Sequence, residues 1–319
     1  MTEKKTRIVL SVDGGGIKGV IPAMVLSEIE KRTGCSVYEF CDLMAGTSTG
    51  GIITLALTKD DGSGNPAYKA EDMVDFYKKS GHRIFQRSMW REILSVNGYL
   101  DGKYSVEGVE SLLEEHFGYS LLGDSLVKLM VSSYNIQDRM PYLFKSWENK
   151  FKNVPVKYVA RATTAAPSYF EPALVTVENA SKALIDGGIF LENPSVTAYA
   201  EAVKLFPGDE IFVISCGTGK LNEPISYDEA RKWGKAEWIR PLFDCMFDGM
   251  CDNTDYQMSQ IVGEKNYIRF QTGLPRISEE RDDVSRENIA RLVKVGEELI
   301  ATNNELINKV VELVKNNKK

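Results

Sequence analysis

Leu43-Met44-Ala45-Gly46-Thr47-Ser48-Thr49-Gly50-Gly51-Ile52-Ile53 is an apolar run, a G-x-S-x-G turn and a second apolar run of helical type. That order predicts a nucleophile elbow, in which a serine sits on a sharp strand-to-helix turn with its hydroxyl exposed. Gly46 and Gly50 leave room for backbones to close on a strained central residue, and Gly51 adds freedom where the helix starts. Ser48 then stands at a helix N-terminus. There the unsatisfied N–H groups and the positive dipole end favour the oxyanion that forms when a serine attacks an acyl carbon. The same letters also fit a plain Ser/Thr/Gly loop, so the choice falls to the rest of the chain.

Upstream, residues 7–12 read as a buried strand, followed at once by Asp13-Gly14-Gly15-Gly16-Ile17-Lys18-Gly19. A helical period then runs through Val20, Met24, Leu26 and Ile29, with Pro22 in the first turn and Gly34 as the stop. Gly14, Gly16 and Gly19 satisfy the dinucleotide fingerprint G-x-G-x-x-G in form, which would make the chain an oxidoreductase. The acidic residue that should close the next strand would have to be Glu39 or Asp42, and neither ends a convincing strand. The other use of such a turn is an anion nest, a ring of free N–H donors. If it faces Ser48 across the sheet edge, it becomes an oxyanion hole.

Downstream, residues 59–70 hold an acidic, glycine-rich loop that lacks the spacing of a calcium loop and reads as a solvated turn. Residues 70–117 read as a helical, cap-like region. In it Arg83, Arg87 and Arg91 recur on one stripe with Phe85, Met89 and Ile93 roughly opposite, either a solvated face or a dock for anionic lipid. Residues 128–135 form a strand with 142–145 as its partner, and Asn153 is expected to cap a helix opened by Pro155. A short buried strand enters Asp186-Gly187-Gly188, Asn193 and Pro194 open another helix, and residues 211–216 form a further strand. Strands alternating with helices predict an α/β fold, with a mostly parallel sheet covered on both faces. Ser48 and Asp186 both fall at strand ends, where such sheets gather their ligand sites. Residues 233–263 carry an apolar stripe (Leu242, Met246, Met250) that reads as core. They also carry an Asp244, Asp248, Asp252 stripe without the histidines a metal site would need. From 283 the chain reads as helix, with residues 302–305 as a capping box. Nothing resembles a linker, so one domain over 7–317 is expected.

Composition narrows the classes. The 319 residues are 43% hydrophobic and 26% charged, an ordinary globular balance. The formal charge of −6 argues against a nucleic-acid polymer as partner. Five cysteines without C-x-x-C spacing read as small buried hydrophobes. The polar start and short apolar runs predict a cytoplasmic protein that touches membranes without crossing them.

A serine hydroxyl needs a base, usually a histidine held by a carboxylate. The two histidines, His82 and His116, both precede Asp186, against the serine, acid, histidine order of α/β-hydrolases. The alternative is a dyad in which Asp186 takes the Ser48 proton directly. An aspartate of ordinary pKa, about 3.9, is a weak base for an alcohol, so such a dyad leans on desolvation and on a strong oxyanion hole.

Three ordered motifs resemble those of the patatin-like lipid acyl hydrolases. Asp13 to Gly19, with Gly14, Gly15, Gly16, Lys18 and Gly19, is similar to the family's oxyanion motif. Gly46-Thr47-Ser48-Thr49-Gly50 is similar to its nucleophile motif, and Asp186-Gly187-Gly188 to its aspartate motif. Ala162-Thr163-Thr164-Ala165-Ala166-Pro167, Asn266-Tyr267-Ile268-Arg269 and residues 288–299 resemble further family segments. The resemblance implies a three-layer α/β/α fold, a Ser48–Asp186 dyad and donors around Gly14, Gly15, Gly16 and Thr49. It also implies no cofactor or metal and release of fatty acids from glycerolipids at a membrane surface. Some bacterial members are antiphage effectors switched on by a cyclic nucleotide; nothing in this sequence shows such a switch. A small-molecule activator and a homo-oligomer stay open as partners, and so does a non-catalytic storage or lipid-binding role.

Overall fold

In the computed structural model, which describes residues 4–84, 106–167, 170–221, 224–274 and 283–317, the two glycine turns leave the same edge of one sheet. Strand β1 (Thr6–Val12) lies parallel to β2 (Leu43–Gly46), with Val9 opposite Leu43 and Val12 opposite Gly46. β3 (Lys128–Asn135) follows parallel beyond β2. β7 (Glu210–Cys216) and β9 (Tyr267–Phe270) extend the parallel run on the other side of β1. The outer edge of β3 carries β4 (Met140–Lys145) antiparallel. β5 (Ala173–Val177) and β6 (Ala180–Asp186) form a hairpin across the two-residue turn Glu178-Asn179. Both turn residues have positive φ, 49° and 65°, as the tightest hairpin turn requires. A two-residue ladder, β8 (Lys220–Leu221) with β10 (Gly273–Leu274), completes the described strands.

The placement of β6 matters most. It pairs with Ser133–Asn135 of β3, beyond the stretch that pairs with β2, and it runs in the opposite direction. Gly46, the last residue of β2, faces Val131, while Asp186, the last residue of β6, faces Ser133. At a rise of about 3.3 Å per residue the two strand ends point at each other across roughly 7 Å of sheet. Ser48 and Asp186 are thus delivered to one seam from opposite directions.

Alternation along the buried strands divides the core. Ile8, Leu10 and Val12 face one layer, and Val9, with Leu43 and Ala45 of β2, faces the other. The first layer holds α1 (Val20–Thr33), α2 (Thr49–Leu57), α3 (Ala70–Ile84), α4 (Val106–Phe117), α5 (Val156–Thr163), α8 (Arg286–Thr302) and α9 (Asn304–Asn316). The second holds α6 (Ser195–Leu205), through Ala198 and Ala202, and α7 (Lys235–Ile261), through Met258. The result is the expected α/β fold with a mostly parallel central sheet between helices.

Local differences have local causes. The helix expected after Asn153 is capped by Pro155 itself, extended at φ −60° and ψ 133°, because a proline N–H is not needed at a helix start. No capping box forms at 302–305. Instead the Asn303 side chain donates to the Leu299 carbonyl at 2.9 Å, closing the C-terminus of α8 before α9 begins. Gly34 ends α1 as expected, at φ 69°. The ends of the 70–117 region pack into the first layer through Met73, Tyr77, Val109 and Leu113. Its centre, with Phe85, Arg87, Met89, Arg91 and Ile93, and the Arg83 side chain lie outside the described residues. No described helix is long and apolar enough to cross a membrane.

Candidate active site

Ser48 adopts φ 52° and ψ −119°, a conformation that costs a non-glycine residue free energy and marks a strained elbow. The turn closes because its flanks carry no side chain. A Cβ on Gly50 would fall 2.2 Å from the Val12 carbonyl oxygen, and one on Gly46 would fall 2.4 Å from the Gly50 carbonyl carbon. Thr47 anchors the turn from below: its hydroxyl donates to the Leu191 carbonyl at 2.6 Å and contacts Ser132 Oγ at 2.7 Å. The Ser48 N–H donates to Thr163 Oγ1 at 2.9 Å, at the end of α5. Ser48 itself is half-buried, whereas every residue of α2 behind it is buried.

The glycine turn lies beside this elbow. Thr218 Oγ1 donates to the Gly14 carbonyl at 2.6 Å, and Lys18 N–H to the Gly15 carbonyl at 3.3 Å. Gly15 and Gly16 take φ values of 154° and 61°, open to glycine alone at low cost. Gly14, expected among the oxyanion donors, must be corrected: its N–H is taken by the Glu192 carbonyl at 3.0 Å. Among the described residues, the N–H groups of Gly15, Gly16 and Thr49 donate to no protein acceptor. The Thr49 hydroxyl pairs with Tyr77 of α3, which also blocks any side chain at Gly19. Lys18 is buried beneath the turn.

Asp13, at the root of the turn, is fixed by a buried ion pair. Arg269 of β9 donates to both its oxygens, at 2.9 and 2.5 Å, and to Ser215 Oγ at 2.7 Å. Burial pushes the Asp13 carboxyl up while Arg269 pulls it back, and the guanidinium is held charged by that contact despite its own burial. Cys251 of α7 leans on the same carboxylate, Sγ to Oδ2 3.6 Å.

Asp186 is 7% exposed and its Oδ1 accepts from the Gly188 N–H at 2.8 Å. Its own N–H donates to the Ala165 carbonyl at 3.0 Å, so the segment that holds the Ser48 backbone through Thr163 also holds Asp186. Gly187 sits against Ser132, 2.2 Å from where a Cβ would place it. Glu192, 4% exposed, was not singled out by the sequence. One of its oxygens would lie 2.5 Å from a Cβ on Gly14 and 2.6 Å from one on Gly188, so its carboxylate fills the space between the two glycine loops. Only its nearness to Asp186-Gly187-Gly188 hinted at a role.

Competing sites are accounted for by ordinary contacts. Asp42, the candidate ribose ligand, accepts from Arg7 at 3.0 Å and from the Ile8 N–H at 2.9 Å. Asp60 and Asp61 cap their own loop, accepting from the N–H groups of Gly62, Gly64 and Ser63. The His116 ring contacts Tyr68 and Phe76, and the His82 side chain lies outside the described residues. Among the described residues no group of three or more His, Cys, Asp or Glu is placed to hold a metal ion.

A family model described as "Patatin-like phospholipase" matches residues 10–199. "Patatin-like protein 2" of Oryza sativa subsp. indica is 30% identical over 339 residues, covering 92% of this chain and 84% of its own. "Probable inactive patatin-3-Kuras 1" of Solanum tuberosum is also 30% identical, covering 92% and 86%. Among solved structures, VipD from Legionella pneumophila aligns over 93% of this chain and 67% of its own, at 15% identity and a TM-score of 0.39.

Proposed function

Because the chain belongs to the patatin-like phospholipase family and is by class a lipid hydrolase, we propose that it releases fatty acids from membrane glycerolipids with Ser48 as nucleophile and Asp186 as base. Asp186 accepts the proton as Ser48 Oγ bonds to the ester carbon. The carbonyl oxygen becomes an oxyanion opposite the N–H groups of Gly15, Gly16 and Thr49. As the tetrahedral centre collapses, the C–O bond to the glycerol breaks and Asp186 returns its proton to the departing alkoxide. Water then attacks the acyl-serine, Asp186 takes its proton and passes it to Ser48 Oγ, and the free fatty acid leaves.

The observation that carries this reading is the seam on β3, where β2 and β6 end head to head and a third segment binds the main chain of both candidate residues. Preorganisation of this kind supplies much of what a weak base lacks. The strained φ of Ser48 beside unpaired main-chain donors supports it independently.

A fluorophosphonate probe tests the assignment. Mass spectrometry should map one adduct to Ser48, and Ser48→Ala should abolish both labelling and ester cleavage, a loss of at least about 10³-fold. Asp186→Asn should cut turnover by a similar order while leaving the fold intact. Full activity in either variant refutes the dyad.

A further inference from the structure

Helix α7 combines two settings. At one edge Phe247 reaches the aspartate loop, 3.5 Å from where a Cβ on Gly188 would stand, and Cys251 touches Asp13. One face round from these, Trp238, Ile239, Leu242, Phe243 and Met246 recur at helical spacing and are exposed, Ile239 by 57%, Leu242 by 50% and Met246 by 41%. Phe243 joins the two settings by stacking on Phe247, centroids 6.2 Å apart. Two stacked rings therefore link the exposed face to the aspartate loop at Gly188.

We propose that the 238–246 face of α7 docks on the interfacial layer of a phospholipid bilayer and holds the candidate site against it, an inference that rests on the lipid-ester reading above. The size of the face favours a bilayer over a second copy of the chain. Its five side chains expose on the order of 500 Å², within the roughly 300–600 Å² of a monomer's largest apolar patch, which often marks a functional surface, and short of the ~800 Å² each partner gives a standard protein interface. Its charge favours insertion over ionic attraction. Across residues 227–246, which include the whole face, Arg231, Lys232, Lys235 and Arg240 are balanced by Asp228, Glu229, Glu237 and Asp244. Aromatic rings at one end, Trp233 edge-on to Trp238 at 5.1 Å, suit the headgroup level, where amphipathic rings settle.

The test uses Ser48→Ala protein, which binds lipid without consuming it, and vesicles of phosphatidylcholine with and without phosphatidylglycerol. Combining Ile239→Ser, Leu242→Ser and Met246→Ser should lower co-flotation with either vesicle by at least about tenfold. Parent binding should hold steady from about 0.1 to about 0.5 M salt. In the active background the same triple change should leave hydrolysis of a short water-soluble ester within about twofold, because none of the three touches the seam. Leu242→Lys alone, at an exposed position, repeats the test if the triple variant melts early. Equal flotation of parent and variant overturns the proposal. So does binding confined to phosphatidylglycerol vesicles and abolished by salt, or a parent dimer that the triple variant splits while flotation stays the same. A parent that floats through this face but cleaves no ester would instead sink the lipid-ester reading and leave the docking face standing.

Discussion

Arg269→Met would strand the Asp13 carboxylate inside the protein, and the expected cost is about 3–5 kcal/mol, read as a lowered denaturant midpoint. Asp13→Asn in the Arg269→Met background should recover part of that loss, since no charge is then left buried. The thiols give a second test. Burial pushes Cys216 up to about 12 and Cys251 further, so at pH 8 both stay protonated and resist iodoacetamide, whereas exposed Cys245 reacts. Mass spectrometry of alkylated native protein checks this, and modification of Cys216 ahead of Cys245 would contradict it. At this scale Ser48 and Asp186 stand out in the sequence as candidates because each lies in a glycine motif that a tight turn demands. Glu192 does not, and Arg269 stands only in a segment that resembles the family, with nothing to tie it to Asp13. A buried carboxylate between two loops, and an ion pair spanning 256 positions, leave no local pattern.

Thr163 is where α5 meets the elbow, and Thr163→Val keeps the shape while removing the oxygen that accepts from the Ser48 N–H. Loss of the partner of this half-buried donor should cost about 0.5–1.5 kcal/mol. Loosening the proposed nucleophile should also lower kcat more than it raises KM, checked by steady-state kinetics on a soluble ester. An unchanged kcat would show that the elbow does not depend on α5. Among elements, the parallel strands and the helices after each glycine turn follow from their apolar runs and stops, as with Val20–Thr33 ending at Gly34. The direction of β6 does not, because an apolar run entering Asp-Gly-Gly reads the same in either orientation. The two-residue turn fixes its direction against β5, and its antiparallel pairing with Ser133–Asn135 is a separate feature of the sheet. A periodicity that marks core is likewise ambiguous on α7, where Leu242 and Met246 fit a buried stripe yet face outward.

Across the whole molecule, the site is a junction of distant segments rather than the property of one stretch. β1 and β2 bring their turns, β9 sends Arg269, the end of α5 and Ala165 just beyond it hold the main chains of Ser48 and Asp186, and β3 is the rail on which β2 and β6 meet. That division of labour bears on how the protein tolerates cleavage. The exposed Glu178-Asn179 turn joins β5 to β6 but holds no part of the seam, since β6 is fastened independently by β3 and by the Ala165 carbonyl. A protease that severs the backbone there should yield two fragments that stay associated through gel filtration and keep near-parent ester turnover. Fragments that part, or that lose turnover while still bound to each other, would mean that the hairpin itself keeps Asp186 in register.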